Sequence, residues 1–323
     1  MQTSEKKLPT VVVMMSAYNG EKHLEEQIRS ILAQKEVFVR LIVRDDGSSD
    51  STPAILARCQ QKGLLEWRRG KNVGYTESFM RLCAQAPPAD YYAFADQDDV
   101  WLPDKLQSMT AQLRPCAQTP ALCVSEWRMT DEQLRPLRRA EKALAFPVPA
   151  MRDAPQAMVQ KAACAMNHVT ASGCVQVWNA ALQNILQTHE PPHAPIGHDV
   201  IVGMTAVLCG KFIPLAQPTI LYRQHGANTS GGHSGRAERH ARWHAHLARL
   251  KNKAGPNISE CNAMLLRAYG DAMPAEARAI LQKTIGYQQN AGKKWALLVS
   301  DYPRLLFWRD RVKFRLKVLL NRL

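Results

Sequence analysis

No stretch of the 323-residue sequence reaches the run of about 18 apolar residues that predicts a membrane-spanning helix. The first ten residues are polar and include Lys6 and Lys7. They lack the apolar segment and small-residue cleavage site of a secretory signal. We therefore expect a cytoplasmic protein without a membrane-spanning helix.

Closely spaced cysteine pairs are also missing, since no two of the eight cysteines have C-x-x-C spacing. The pattern therefore indicates neither a zinc site nor a disulfide framework. We expect buried, reduced thiols instead.

Acidic residues are few relative to basic ones: 28 Asp and Glu stand against 42 Lys and Arg, a net charge of +14 at pH 7. This balance favours anionic partners, namely nucleic acid, an acidic membrane face or phosphorylated substrates. Apolar residues make up 46% of the chain, enough for one large α/β domain with an appendage.

Strand and helix patterns alternate through the first third of the chain. The apolar runs predict strands at residues 11–15, 37–43, 64–67 and 91–95. Helical signals lie between them, including Thr52 followed by Pro53, and Pro103 opens a further helix. Two more helices are predicted near residues 179–188 and 199–208. The order predicts an α/β fold whose mostly parallel sheet carries helices on both faces.

Polar clusters follow three of these strands, at residues 16–21, 45–50 and 96–99. Ligands of such sheets bind at the carboxyl ends of the strands, so the clusters predict a site. In the first cluster, Tyr18 suits stacking on a nucleobase and Asn19 suits a chain bend. An ordinary strand-to-helix turn explains that cluster nearly as well.

The other two clusters are rich in carboxylates. Asp96, Asp98 and Asp99 repel one another unless a cation balances them, and oxygen ligands suit Mg²⁺ or Mn²⁺. The alternative is a solvated acidic turn before the Pro103 helix. Asp46 suits hydrogen bonds from a base or a ribose, whereas capping of the Thr52 helix is the other interpretation of its cluster.

Several segments, in order, resemble the inverting family 2 glycosyltransferases of the GT-A fold. They are "SAYNGEKHLEEQIRSILAQ", "LIVRDDGSSDST", "KNVGYTESF" and "FADQDDVWLPDKL". The later segments "SGC", "GHDVIVGMTAVLCGKFIPL" and "TILYRQHGANTSG" are similar to a bacterial branch that builds surface polysaccharides, especially its rhamnosyltransferase-like members. The resemblance covers about residues 9–231.

The resemblance implies a role for each matching residue. The nucleotide sugar would be bound by Ala17, Tyr18, Asn19, Glu21, Asp46, Asn72, Gly74, Asp96 and Gln97. Asp98 would hold Mn²⁺ or Mg²⁺ on the diphosphate, His225 would reach the metal or the diphosphate, and Asp199 would be the catalytic base. Relatives often carry Trp after the His-Asp pair, where this chain has Val200 and Ile201, a difference that concerns the acceptor contact. Capping of its helix is the alternative role of Asp199.

The resemblance implies the catalytic domain, and the residue pattern predicts the region that follows it. A GT-A catalytic domain is expected over residues 1–235, with a nucleotide-sugar half at about 9–115 and an acceptor half at about 116–235. A basic, helical region would occupy residues 236–323. The Gly/Ser/Asn-rich loop 226–235 is expected to close over the bound donor.

The basic residues concentrate in this last region, with seven Lys and Arg and one acid over residues 304–322. Leu305, Trp308, Val312, Leu316 and Leu319 recur there at helical spacing. The pattern is typical of a helix that lies on an anionic membrane, here the inner face of the cytoplasmic membrane. The alternative is a helix that packs on the catalytic domain and exposes a basic face.

Together these features predict transfer of a sugar from a nucleotide diphosphate to a glycan or polyprenyl-diphosphate-linked acceptor. The resemblance favours dTDP-rhamnose and leaves UDP- and GDP-sugars open, in surface polysaccharide or O-antigen biosynthesis. A nucleotidyltransferase that acts on sugar phosphates is one alternative. A basic nucleic-acid-binding protein is another, although no nucleic-acid-binding motif is present.

Overall fold

The computed structural model describes residues 7–137, 154–166, 172–188, 196–225, 257–306 and 308–321. The predicted closing loop at 226–235 and the basic residues 236–253 lie outside these ranges. The boundary at residue 235 therefore stays a prediction.

One eight-stranded sheet forms the centre of the described part of the chain. Its strands are β1 (Thr10–Ala17), β2 (Phe38–Asp45), β3 (Glu66–Arg69), β4 (Tyr91–Ala95), β5 (Val100–Trp101), β6 (Ala121–Thr130), β7 (Gln176–Asn179) and β8 (Lys211–Arg223). They lie in the order β3-β2-β1-β4-β7-β6-β8-β5. The pairs β1–β2, β2–β3, β1–β4 and β6–β8 are parallel, whereas β7 and β5 pair antiparallel with their neighbours. The predicted mostly parallel sheet is thereby confirmed.

Helices surround this sheet. They are α1 (Leu24–Leu32), α2 (Thr52–Gln61), α3 (Tyr75–Gln85), α4 (Lys105–Leu113), α5 (Gln156–Met166), α6 (Ala180–Thr188) and α7 (His198–Cys209). The proline that follows Thr52 lies in the first turn of α2, where its missing N–H costs nothing. Pro103 precedes the start of α4 by two residues.

The core lies between the sheet and the helices. Every residue from 11 to 15 of β1 is fully buried, as the unbroken apolar run predicted for a strand covered on both faces. Trp178 of β7 packs against Phe94 of β4, with ring centroids 4.7 Å apart. All eight cysteines are free thiols, and six of them are buried.

The described C-terminal part is helical, as predicted. It contains α8 (Ile258–Tyr269), α9 (Ala275–Thr284), α10 (Ala291–Leu298) and α11 (Trp308–Leu319). The first two of these helices pack against α5, and α8 also contacts α7. Leu265, Tyr269 and Leu281 are fully buried there in the same core as the sheet. Within the described residues, every helix is too short or too polar to cross a lipid bilayer.

Candidate active site

A cleft of about 900 Å³ opens beyond the carboxyl ends of β1, β2 and β4. Its position follows from parallel pairing, which brings these three strand ends to one edge of the sheet. Ten of the twelve predicted site residues line it: Tyr18, Asn19, Asp46, Asn72, Gly74, Asp96, Gln97, Asp98, Asp199 and His225.

Ala17 and Glu21, the other two predicted ligands, lie beside the cleft and do not line it. Ala17 is fully buried, and its carbonyl accepts a hydrogen bond from the Asp46 backbone N–H at 2.7 Å. The Glu21 carboxylate accepts a hydrogen bond from the backbone N–H of Ser51 at 2.9 Å. Both residues therefore join the turn after β1 to the turn after β2, a contact that sequence spacing does not reveal.

The turn after β1 exposes the Tyr18 ring. Asn19 adopts a left-handed conformation with φ of 48°, which asparagine tolerates better than most residues. The Gln97 side chain accepts from the Tyr18 backbone N–H and donates to its carbonyl, both at 2.9 Å. A Cβ at Gly20 would lie 2.2 Å from the Gln97 Oε1 atom, so glycine makes this clamp possible. The Tyr18 side chain is left 48% exposed, free to stack on a planar ligand.

Asp46 stabilises the turn that brings Asn72 and Gly74 to the cleft. Its carboxylate accepts hydrogen bonds from the backbone N–H groups of Val73 at 3.0 Å and Gly74 at 2.9 Å. It also forms a buried ion pair with Arg44. Each carboxylate oxygen has two lone pairs, so Asp46 retains capacity to accept a bond from a ligand. The predicted ligand is thus also a structural anchor of the Asn72–Gly74 turn.

Negative charge is concentrated at the end of β4. Burial and the nearby charge of Asp98 raise the pKa of Asp96 to about 7. The same two causes raise the pKa of the fully buried Asp99 well above its ordinary value. Raised values mean that each of these carboxyl groups keeps its proton to a higher pH than an exposed one, unless a cation offsets the charge of its ionised form. A divalent cation would do so, and the donor chemistry therefore fits Mn²⁺ or Mg²⁺.

His225 completes the acidic end of the cleft. Its Nε2 atom lies 2.8 Å from the Asp98 Oδ2 atom, although the two residues are 127 positions apart. Arg223, at the end of β8, donates from Nε to the Asp98 carbonyl at 2.8 Å and pairs with Glu26. The arginine therefore fixes both the Asp98 backbone and the strand end that carries His225.

Ligand atoms of Asp96, Asp99 and Cys174 form a second candidate cation site, because they lie within 4.8 Å of one another. Burial raises the pKa of Cys174 well above its ordinary value, so its thiol stays protonated. Mn²⁺ and Mg²⁺ prefer oxygen ligands, and Asp99 is fully buried behind the cleft. Asp98 and His225 line the cleft, where a cation would reach their oxygen and nitrogen atoms.

Asp199 lies in the first turn of α7 and lines the cleft. Its Oδ1 atom accepts a hydrogen bond from the Val200 backbone N–H at 2.9 Å, and a Cβ at Gly197 would lie 2.3 Å from that oxygen. Gln176 of β7 donates to the Asp199 carbonyl at 3.0 Å and fixes the helix start. Burial raises the pKa of Asp199 above its ordinary value.

Several residues in the cleft or buried beside it carried no signal in the sequence. His23 lies with its ring centroid 5.4 Å from that of His225, and Glu132 pairs with Lys22 at the cleft rim. Lys105 is fully buried and donates from Nζ to the Cys174 carbonyl at 2.5 Å, which holds the chain beside Asp96. These contacts join segments that are distant in the sequence, so local patterns did not predict them.

Comparison with known proteins gives a family match over the first half of the chain. Residues 12–167 match the model described as "Glycosyl transferase family 2". This segment includes β1 from its third residue, the strands β2 to β6 and the acidic cluster, but not Asp199 or His225.

Two curated relatives illustrate the similarity. The dTDP-rhamnosyl transferase RfbG of Shigella flexneri is 35% identical over 100 residues, which are 29% of this chain and 35% of RfbG. The putative teichuronic acid biosynthesis glycosyltransferase TuaG of Bacillus subtilis is 30% identical over 117 residues, 34% of this chain and 44% of TuaG. The matched segment thus spans less than half of either relative.

A solved structure shows the likeness in fold over nearly the whole chain. The crystal structure of S. aureus TarS 1–349 in complex with UDP-GlcNAc superposes with a TM-score of 0.53 at 15% identity. The match covers 96% of this chain and 90% of the TarS chain. At this identity the likeness concerns the fold alone, and it confirms the predicted GT-A architecture.

Proposed function

Since the chain belongs to glycosyl transferase family 2 through its residues 12–167, we propose that it transfers a sugar from a nucleoside diphosphate to an acceptor hydroxyl, with inversion. One observation carries the proposal. A single cleft holds an exposed aromatic ring at one end, the Asp98–His225 pair, and a buried carboxylate at a helix start. These are the groups needed for a base, a diphosphate and an acceptor hydroxyl.

In this proposal, residues at the carboxyl ends of the strands bind the nucleotide part of the donor. Tyr18 stacks on the base, and Asp46 with the Asn72–Gly74 turn borders the nucleoside. Asp96 accepts a hydrogen bond from the ribose. Asp98 and His225 would hold Mn²⁺ or Mg²⁺, and the bound cation would offset the negative charge that the diphosphate gathers as the glycosidic bond breaks.

The acceptor half depends on Asp199. In its ionised form this carboxylate takes the proton of the acceptor hydroxyl while the hydroxyl oxygen attacks the far face of the anomeric carbon. The carbon–oxygen bond to the diphosphate breaks in the same step, so the configuration inverts. The raised pKa makes Asp199 a stronger proton acceptor than an exposed carboxylate.

The donor that we favour is dTDP-rhamnose. The support is the sequence resemblance together with the identity to a dTDP-rhamnosyl transferase. UDP- and GDP-sugars are the competing donors. A glycan or polyprenyl-diphosphate-linked acceptor fits relatives that are named for surface-polymer synthesis.

Thermal unfolding with nucleotide sugars tests this proposal. The correct donor with Mn²⁺ should stabilise the native state by about 2.7 kcal/mol at roughly 100 times its Kd, because it binds only the folded protein. The shift in Tm should be smaller in chelator-treated buffer. Product analysis then follows the donor, and release of a nucleoside diphosphate is expected.

Two outcomes would contradict the proposed reaction. Pyrophosphate released from a nucleoside triphosphate would identify a nucleotidyltransferase instead. Salt-sensitive DNA binding without any response to nucleotide sugars would favour the nucleic-acid-binding alternative.

The C-terminal helix α11 supports a peripheral contact with anionic membrane. Phe314 and Val318 are buried against the protein. Trp308, Val312 and Leu316, on the opposite side at four-residue spacing, are 69%, 49% and 50% exposed. The sequence left packing and lipid contact as alternatives, whereas the structure shows one apolar stripe packed and a second one exposed.

Neighbouring groups extend this exposed surface. Trp295 and Val299 of α10, which packs against α11, are 67% and 62% exposed. Residues 291–321 carry eight Lys and Arg against two Asp. Exposed tryptophans within a basic surface match the interface of an anionic bilayer.

Vesicle binding measures the contact. A variant with Trp308→Gln and Leu316→Gln should bind phosphatidylglycerol-containing vesicles at least about tenfold more weakly, because less apolar area enters the bilayer. The matched control is Phe38→Gln, which removes a side chain that is 63% exposed on β2. Equal binding by the double variant, or equal wild-type binding to zwitterionic vesicles, would contradict the contact.

A further inference from the structure

Arg44, near the end of β2, is buried beside the cleft. Only 8% of its surface is exposed, and arginine is seldom buried unless its charge is paired. Its guanidinium group donates to the Asp46 carboxylate, to the Ser78 Oγ atom at 3.0 Å and to the Lys71 carbonyl at 2.9 Å. Asp46 lines the cleft, whereas Arg44 does not. Any influence of the arginine on a bound ligand therefore passes through the groups that it holds.

The three partners of Arg44 come from different segments of the chain. Asp46 lies in the turn after β2, Lys71 in the turn after β3, and Ser78 near the start of α3. The Ser78 hydroxyl also accepts a hydrogen bond at 2.6 Å from Ser16, a cleft-lining residue of β1. The planar guanidinium group directs its donors in fixed directions, which a lysine ammonium group does not. One side chain thus joins three segments to β2.

Arg44 holds the turn after β3 in two ways. It binds the carbonyl of Lys71, which directly precedes the Asn72–Gly74 turn. It also pairs with Asp46, whose carboxylate accepts hydrogen bonds from two backbone N–H groups of that turn at 3.0 and 2.9 Å. Loss of the arginine would remove the donor from the carbonyl and leave the buried Asp46 charge without its partner. Both changes would affect groups that border the cleft.

Gly70 makes room for this guanidinium group. A Cβ at Gly70 would lie 2.2 Å from the Arg44 Nη2 atom and 2.8 Å from its Cζ atom. The Gly70 N–H donates to the Asp45 carbonyl at 2.8 Å, which fixes the glycine backbone beside β2. A larger residue at position 70 would therefore displace the guanidinium group from its partners.

The groups that Arg44 holds belong to the nucleoside end of the proposed site. In the proposed function, Asp46 and the Asn72–Gly74 turn border the nucleoside, whereas Asp98 and His225, which contact each other, would hold the cation at the diphosphate. We propose that Arg44 is a positioning residue for the nucleoside, because it holds Asp46 and the Asn72–Gly74 turn in the arrangement that the nucleoside meets. The bond that breaks lies at the diphosphate, so the arginine affects the affinity for the donor and not the chemical step. This role rests on the proposed function.

Calorimetric nucleotide binding tests this role. The probe is whichever of dTDP, UDP and GDP binds the wild type most tightly in the presence of Mn²⁺. Arg44→Gln removes the charge and the fork of donors, so we expect the probe to bind about tenfold more weakly, the effect of one lost hydrogen bond. Arg44→Lys keeps the charge without the fork and should bind with intermediate affinity. Gly70→Ala keeps the arginine but displaces its guanidinium group, and it should weaken the same binding.

Steady-state kinetics separate this role from a merely structural one. Release of the nucleoside diphosphate from the donor is measured over a range of donor concentrations. Arg44→Gln should raise the KM for the donor by the same factor and leave kcat close to the wild-type value, as expected when the ground state and the transition state lose the same interaction.

Two control variants complete the experiment. Arg40→Gln removes another arginine of β2, one that donates to the exposed Glu66 carboxylate at 2.8 Å, and it should leave nucleotide binding unchanged. Tyr302→Phe deletes a buried hydroxyl that donates to the Ile280 carbonyl at 2.6 Å. It should lower Tm without affecting nucleotide binding, which shows that reduced stability alone does not weaken the affinity.

Three results would overturn the role of Arg44. The first is wild-type nucleotide affinity in Arg44→Gln, or in both Arg44→Lys and Gly70→Ala if Arg44→Gln does not fold. The second is a loss confined to kcat, and the third is equally weakened binding in Tyr302→Phe. A wild-type protein that binds none of the three nucleotides would overturn the proposed function, and the role of Arg44 with it.

Discussion

Asp199→Asn should lower the rate of sugar transfer by about 10²–10⁴-fold, the usual contribution of a positioned general base. The amide keeps the size of the carboxylate, and its oxygen still accepts from the Val200 N–H, so the start of α7 should remain intact. Nucleotide-sugar binding should stay close to that of the wild type. Single-turnover transfer together with calorimetric donor binding measures both quantities.

A matched control and a pH profile complete this prediction. Asp271→Asn changes an exposed carboxylate outside the cleft and should leave transfer unaffected. Because the ionised form of Asp199 is the base, transfer should rise with pH through its pKa. Burial raises that pKa, so the acidic limb should lie above the ordinary value of 3.8. Loss of donor binding in Asp199→Asn, or transfer at the wild-type rate, would contradict the assignment.

Asp98→Asn should reduce transfer by more than about 100-fold and abolish its stimulation by Mn²⁺. Asp98 contacts His225 in the cleft, and replacing the carboxylate removes the charge that would hold a divalent cation at the diphosphate. Several kcal/mol of charge stabilisation depend on such a cation. Transfer is measured in chelator-treated buffer with increasing Mn²⁺, for wild type and variant in parallel.

The control for this experiment is Asp90→Asn, at the opposite end of β4 from the acidic cluster. Asp90 accepts a hydrogen bond from the Thr10 backbone at 2.8 Å and does not line the cleft. Sugar transfer by the Asp90→Asn protein should be stimulated by Mn²⁺ as strongly as in the wild type. Wild-type turnover that proceeds at full rate without added metal, or an Asp98→Asn protein that still responds to Mn²⁺, would refute the role of Asp98.

The predicted strands show how much of the fold follows from the local sequence pattern. The run at residues 11–15 became the buried centre of β1, and residues 91–95 match β4 residue for residue. Alternation of strand and helix was enough to predict parallel pairing, and with it the meeting of the three polar clusters at one edge. Ten predicted residues accordingly line the same cleft.

Other features of the site depended on packing. Ala17 and Glu21 belong to the same sequence motif as Tyr18. They do not line the cleft, because they accept hydrogen bonds from the backbone of the turn after β2. The pairing of His23 with His225 requires β8 to end beside α1, which no local pattern encodes. Among the described residues, the nitrogens of the His198 ring have no hydrogen-bond partner, because residues of α3 and β4 surround the start of α7 with aromatic rings.

The sequence by itself determined the α/β fold class, the strand ends that carry the site and the residue types placed there, because hydrophobic periodicity and turn chemistry act over a few neighbouring residues. Only the tertiary structure decided which of those side chains face the cleft, how burial shifts the pKa values of Asp96, Asp199 and His198, and that α11 exposes a second apolar stripe. The physical reason is that desolvation and exposure depend on everything that surrounds a group, and most of those surroundings come from distant parts of the chain.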